Sequence, residues 1–411
     1  MKKMRIPLVV TAFVLSAITV AYCSLSRPNA SKRPHARVQD DANVTPADVK
    51  LLHAVLLKHH ILFGSAISPA DITQRAPRPQ NYLSEVSKYF NFYTISVSYQ
   101  IVEQQQGVFN FDLADKAVEF AIANHAKVKA HALVTGGSLP KWLTSGNFTP
   151  DQLREILRNH VTTIVKHFND KYPGEVIDYN VVNEPTCNGG RLNADLCFDD
   201  GLKKNIWTVI HKPGSDDPSD YIQYAFEWAH QADPSAKLFI NEDGIEDKSN
   251  PKIDRFYDIV KMLVNKRVPI NGIGFESHIR FMDRDKYGAR ELTATMDRFA
   301  GLGLESQVSE FDVAMTGSLR RIDMNTPMQQ IPIENPQSSD FEQQGEVYKS
   351  FLIACLNAKN CTGFTTWGPW DTATYMNTHW AGKFYPHLLG DDLKPKLTFK
   401  YLVDAAKDYN R

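Results

Sequence analysis

Residues 176–185 read Val-Ile-Asp-Tyr-Asn-Val-Val-Asn-Glu-Pro. As far as Val182 the run is β-branched and aromatic, the composition of a buried strand. It stops at Asn183, Glu184 and Pro185. Proline has no N–H for a sheet ladder, so the strand ends there and leaves Glu184 at its carboxyl tip. A carboxylate beside an apolar strand is costly unless solvent or chemistry uses it. Taken alone, Glu184 reads equally well as a solvated strand end.

A second stretch changes that balance. Residues 305–313 read Glu-Ser-Gln-Val-Ser-Glu-Phe-Asp-Val, again strand-like, with Glu310 near the end and Asp312 two positions later. Alternation puts Glu310 and Asp312 on one side of the strand. Two strand-terminal glutamates far apart in sequence suit a retaining glycosidase. One acts as acid and then base while the other attacks the anomeric carbon, with the carboxyl groups about 5–5.5 Å apart. Asn183, directly before Glu184, is suited to hydrogen-bonding a sugar 2-hydroxyl.

Further strand-like segments lie at 61–65, 92–98, 128–134, 237–241, 272–278 and 363–367. Between them run amphipathic segments at 112–124, 150–168, 219–232, 254–266, 289–301 and 340–356. In the third of these, Tyr221, Tyr224, Ala225 and Trp228 recur at helical spacing and read as core-facing. Strands alternating with helices predict a parallel sheet, and eight such units predict a closed (β/α)8 barrel. An open doubly wound sheet is the alternative, but no glycine-rich phosphate turn follows the first strand. Catalytic groups of a barrel gather at the carboxyl ends of its strands. Glu184 would top the fourth strand and Glu310 the seventh. At the same level fall His131 on the third, Asn241 on the fifth, His278 on the sixth and Trp367 on the eighth.

Bulk composition narrows the partners. The 411 residues are 43% apolar and 23% charged, ordinary for a globular protein. A net charge of −1 supplies no basic field for nucleic acid. The pair of strand glutamates makes a poly- or oligosaccharide the expected partner, and the chain is expected to be a monomer. Lys2, Lys3 and Arg5 precede an apolar run at 6–22, the pattern of a secretory signal or an amino-terminal membrane anchor. Lipid attachment at Cys23 is a third reading. The chain is therefore expected to be exported, whether secreted, periplasmic or surface-anchored. Residues 1–23 read as the leader, 24–49 as a polar flexible tether and 50–411 as one catalytic domain. Besides Cys23, the cysteines form two close pairs, Cys187 with Cys197 and Cys355 with Cys361. In an exported protein these make two short disulfide loops; otherwise they are four buried thiols. The thirteen histidines are scattered, and His59-His60 has no obvious carboxylate partners, so neither a metal nor a cofactor is expected.

These residues together resemble glycoside hydrolase family 10, the β-1,4-xylanase family with a (β/α)8 barrel. Val-Val-Asn-Glu-Pro at 181–185 resembles its acid/base strand, and Ser-Glu-Phe-Asp at 309–312 its nucleophile strand. The resemblance thus implies Glu184 as acid/base and Glu310 as nucleophile. Gly-Ile-Gly-Phe-Glu-Ser-His at 272–278 resembles the segment whose His supports the nucleophile, with Glu276 where the family usually has Gln. Thr-Thr-Trp-Gly at 365–368 resembles the eighth strand, Tyr375 falls where a second Trp is common, and Leu-Lys-Pro-Lys at 393–396 resembles the closing motif. Cys355 and Cys361 match a disulfide of many members. The chain also departs from the family. Ser-Val-Ser-Tyr-Gln-Ile at 96–101 stands where a sugar-gripping Glu-Asn-x-x-Lys-Trp is usual, and Thr135 and Gly136 replace a Trp-His pair. Loss of buried hydrogen-bonding groups alters specificity strongly, so a glycan other than ordinary xylan is a credible substrate.

The remaining roles follow with their plainer alternatives. His278 and Asp312 would hold Glu310 in position and charged; a core histidine and a cap or surface acid are the alternatives. His131 would meet a sugar hydroxyl, Asn241 would lie near the acid/base, and Trp367 would offer a platform to a pyranose face. Trp370 and Tyr375 read equally as platform or packing. Glu276 either raises a pKa of the pair it forms with Glu310 or points into the barrel wall toward a Lys or Arg. Against the enzyme stands a second class, an exported carbohydrate-binding protein on a degenerate glycosidase barrel. Alanine at Glu310 separates the two.

Overall fold

A computed structural model describes residues 42–75, 77–187, 196–321, 328–380 and 382–410. The leader at 1–23, with its Cys23, and the tether as far as residue 41 lie outside the described residues. Eight strands form the centre: β1 Leu62–Ile67, β2 Phe92–Ser96, β3 Lys127–His131, β4 Val176–Asn183, β5 Lys237–Glu242, β6 Gly272–Phe275, β7 Glu305–Ala314 and β8 Cys361–Thr366. Each pairs in parallel with the next, and β8 pairs with both β7 and β1, so the sheet closes on itself. Parallel neighbours need long crossovers, which helices supply. The longer helices are α1 Pro46–Lys58, α2 Asp112–Ala123, α3 Pro150–Lys171, α4 Asp220–Ala232, α5 Lys252–Asn265, α6 Ala289–Ala300, α7 Ser338–Asn357 and α8 Leu397–Tyr409. The fold is the (β/α)8 barrel.

Local chemistry explains where the elements depart from expectation. Helix α1 starts inside the stretch whose polarity reads as tether. Thr45 and Asp48 close a capping box around Pro46, and Val49 and Leu52 are buried. The sixth strand stops at Phe275 because Ser277 takes a φ of 64°, which no ladder accommodates. His278 instead opens a short strand, His278–Arg280, that pairs with β7 and sets His278 opposite Asp312. Strand β7 continues to Ala314, so Glu310 sits within it rather than at its tip. On α4, Tyr221, Ala225 and Trp228 face the core as read, and half-buried Tyr224 stacks on Trp228 with centroids 4.9 Å apart.

The barrel interior is not wholly apolar. Lys129 of β3 is fully buried and donates to Gln307 Oε1 of β7, while Gln307 Nε2 donates to Asp178 Oδ2 of β4 at 2.8 Å. The amide reaches from β7 to an ammonium and a carboxylate that are register neighbours on the adjacent strands β3 and β4. Both close cysteine pairs are disulfides: Cys187–Cys197 follows β4, and Cys355–Cys361 ties the end of α7 to the start of β8.

Candidate active site

Glu184 leaves the end of β4 with a φ of 47°, and its backbone N donates to Asn241 O on β5 at 2.9 Å. The left-handed residue followed by proline takes the chain out of strand geometry. Its side chain is 42% exposed, and Oε2 lies 3.3 Å from Lys203 Nζ. Lys203 is held in turn by its own N–H to Pro185 O at 2.7 Å. Glu310, by contrast, is buried. Its Oε1 accepts from Asn241 Nδ2 at 2.8 Å and lies 3.3 Å from His131 Nδ1; its Oε2 lies 3.3 Å from His278 Nε2. His278 Nδ1 is 2.9 Å from Asp312 Oδ2. Strand alternation therefore does what it promised, since Glu310 and Asp312 grip the same imidazole.

Asn241 ties the two halves together. Its Nδ2 also donates to Asn183 Oδ1 at 2.8 Å, and its Oδ1 accepts from Ser309 Oγ at 2.7 Å. Gly274 on β6 makes room for this, because a Cβ there would lie 1.9 Å from Asn241 Oδ1. Asn241 is fully buried and does not border the cavity, so its link to any ligand runs through Asn183 and Glu310.

That cavity has a volume of about 430 Å³ and is bordered by Asn183, Glu184, His131, Trp367 and Tyr375. Ser96, Ser98 and Thr135 form part of another wall, so the departures noted in the second and third strands open onto the same space. The size is that of a small-molecule site. The Trp367 ring meets His131 edge to face at 4.9 Å, and Tyr375 lies 6.0 Å from His278. Trp370 also borders the cavity but is 4% exposed and packs on Tyr82 at 5.4 Å.

Residues 52–405 match glycosyl hydrolase family 10. The chain belongs to that family of glycoside hydrolases. It is 30% identical over 371 residues to endo-1,4-beta-xylanase A of Thermoanaerobacterium saccharolyticum, covering 88% of this chain and 28% of that protein. Over 363 residues it is 29% identical to exoglucanase XynX of Acetivibrio thermocellus, covering 86% of this chain and 29% of that protein. The chain thus spans less than a third of those two relatives. Among solved structures it is similar to xylanase 10B of Thermotoga petrophila in complex with xylobiose. The TM-score is 0.73 at 25% identity, over 88% of this chain and 98% of that one.

Electrostatics within this family 10 barrel separates the carboxylates. Burial alone would raise the Glu310 carboxyl; His131, His278 and the Asn241 amide reverse this and hold it below the ordinary glutamate value. Burial opposes a charge on His278, but Tyr375, Asp312 and Glu310 outweigh it and raise the imidazole well above its usual value. Burial also pushes Asp312 up, and His278 pulls it back. The proton of that pair therefore sits on the imidazole. Burial lowers His131 despite the pull of Glu310. Glu276 turns toward this group: its Oε1 accepts from Asn241 Nδ2 at 3.0 Å. Glu276, His278 and Glu310 bring ligand atoms within 4.8 Å of one another, a geometry that could hold a metal ion, and their hydrogen bonds to Asn241 and Asp312 account for it without one.

The sequence reading missed Lys203, whose only signal was its place in the loop after Glu184, and understated Asn241, which it placed near the acid/base alone.

Proposed function

We propose that this chain is an exported, monomeric retaining endo-β-glycosidase that hydrolyses β-1,4-xylan or a related β-glycan by double displacement. Glu310 attacks the anomeric carbon while Glu184 gives its proton to the leaving oxygen, so the glycosidic bond breaks as a glycosyl ester forms. Glu184 then takes a proton from water, which attacks the same carbon and releases Glu310. His278, oriented by Asp312, and Asn241 keep Glu310 ionised and aimed. Asn183 addresses the 2-hydroxyl, His131 a neighbouring hydroxyl, and Trp367 and Tyr375 the sugar faces. The observation that carries this reading is the bond set around Glu310. A buried carboxylate held ionised by an imidazole and an amide, beneath a cavity bordered by a second glutamate, is arranged as a nucleophile.

A second substrate reading, a β-glucan, draws on the small Ser96, Ser98 and Thr135 along the wall and on a relative named as an exoglucanase. One experiment addresses both. Xylo- and cello-oligosaccharides are incubated with the protein, and the anomer formed first is followed by NMR. The expected first product is the β-anomer, with turnover lost in Glu310→Ala and strongly slowed in Glu184→Gln. An α first product would contradict double displacement, and no turnover of any β-glycan would leave carbohydrate binding as the function.

Two disulfides support a place outside the cytoplasm, and the apolar run at 6–22 is proposed as its signal or membrane tether. Among the described residues, no helix is long and apolar enough to cross a membrane.

A further inference from the structure

Glu276 is a buried acid at the heart of the site that the double displacement does not use. It follows β6 directly and is 2% exposed, and its backbone N donates to Glu242 O at 3.0 Å. The Asn241 NH2 group has three acceptors in reach: Asn183 Oδ1, Glu310 Oε1 and Glu276 Oε1. An amide nitrogen carries two hydrogens, so these three oxygens are one donor short. His278 Nε2 lies 3.8 Å from Glu276 Oε2 and 3.3 Å from Glu310 Oε2, so the same imidazole serves both acids.

The surroundings are acidic on every side. The charges of Glu310 on β7, Glu184 after β4 and Asp243 after β5 bear on Glu276, Glu246 reaches it through Ser277, Asp312 lies behind His278, and Glu242 meets its backbone N through a carbonyl. The cationic groups nearby include His278, already bonded to Asp312, Lys252, which pairs with Glu242 at 2.7 Å, and His131, 3.3 Å from Glu310; the Tyr375 ring lies 6.0 Å from that of His278. Two buried carboxyl groups this close do not both ionise.

We propose that Glu276 is a positioning residue that keeps its proton beside Glu310, so that the nucleophile alone carries the charge of the pair, and that turnover ends when this second proton leaves. The proposal rests on the reading of Glu310 as nucleophile. A neutral Glu276 adds the missing third hydrogen to the cluster and leaves His278 and Asn241 to Glu310. An ionised Glu276 competes for both and releases the nucleophile from its grip. Burial first, then the charges of Glu310, Glu184 and Asp243, push the Glu276 carboxyl well above the usual range, with His278 opposing.

The test compares the full chain with Glu276→Gln, an isosteric group that cannot ionise, and with Glu276→Met, which removes the proton site and the hydrogen bonds. Two quantities are followed from pH 5 to 9: kcat/KM on 4-nitrophenyl β-xylobioside, and the thermal midpoint Tm. In Glu276→Gln the alkaline limb is expected to move up by ~1 pH unit or more, while Glu276→Met loses kcat throughout and the amide restores much of it. Because its folded pKa is raised, Glu276 stabilises the fold below the unfolded value of ~4.3, and this contribution is lost as pH rises through the folded value. The Tm of either variant minus that of wild type should therefore grow with pH. Coincident alkaline limbs or a flat Tm difference would overturn the proposal. If the wild type cleaves no β-glycan, the nucleophile reading fails by itself, and the Tm difference still decides whether Glu276 holds its proton.

Discussion

Around Glu310 the charges make a definite pH dependence. Its folded pKa is depressed, so its bonds to His278 and Asn241 stabilise the protein above the unfolded glutamate value of ~4.3 and are lost as pH falls through the folded one. The same group must be ionised to attack, so the acid limb of kcat/KM should lie below ~4.3. Replacing the imidazole by a neutral amide, His278→Asn, should move that limb upward and lower kcat; a pH–rate series from 3 to 7 measures both. An unmoved limb would mean that His278 does not hold the charge of Glu310. Lys203 belongs to this scale as well. It lies 3.3 Å from Glu184 Oε2 at the rim, a contact that its place in the loop after Glu184 only hinted at.

Among the elements, the close approach of β5 and β6 is the feature most sensitive to one methyl group. Gly274→Ala would drive a Cβ into Asn241 Oδ1, which is already held by Ser309 and cannot yield without releasing Glu310. We expect a loss of about 1–3 kcal/mol in denaturant unfolding, together with a fall in kcat larger than any change in KM. The α7–β8 connection behaves differently, because its disulfide closes a loop of sequence separation 6 away from the cavity. Cys355→Ser with Cys361→Ser should cost about 2 kcal/mol and lower Tm while leaving kcat at 25 °C unchanged. A matching loss of activity would mean that the connection also shapes the site.

For the molecule as a whole, the polar layer inside the barrel sets a limit on stability. Burial lowers Lys129 to about 8, although Asp178, Glu310 and Glu305 pull it up, and burial raises Asp178. Lys129→Met leaves Gln307 Oε1 without its buried donor and removes the compensating charge beside Asp178, which keeps Gln307 Nε2; breaking such a buried pair costs about 3–5 kcal/mol. Equilibrium denaturation checks this; a variant as stable as wild type would show that the layer contributes little. The wild-type ammonium is penalised in the fold, so this penalty is present below the folded value of about 8 and is relieved as pH rises from there toward the unfolded one.

Much of this was legible in one dimension. β-Branched runs cut off by Pro185 and the helical periodicity between them determine a barrel, and alternation puts Glu310 and Asp312 on one side, because each signal is local: a proline ends a ladder, and alternation fixes a side. Even so, Ser277 broke the sixth strand, and a capping box started α1 within polar sequence. Neither the triple duty of Asn241 nor the proton held at Glu276 could be read that way. Their bonds span 69 and 35 positions, and the Lys129–Gln307 contact spans 178. The charge state of a buried acid depends on which groups surround it and how dry they are, and only closure of the barrel brings those groups together.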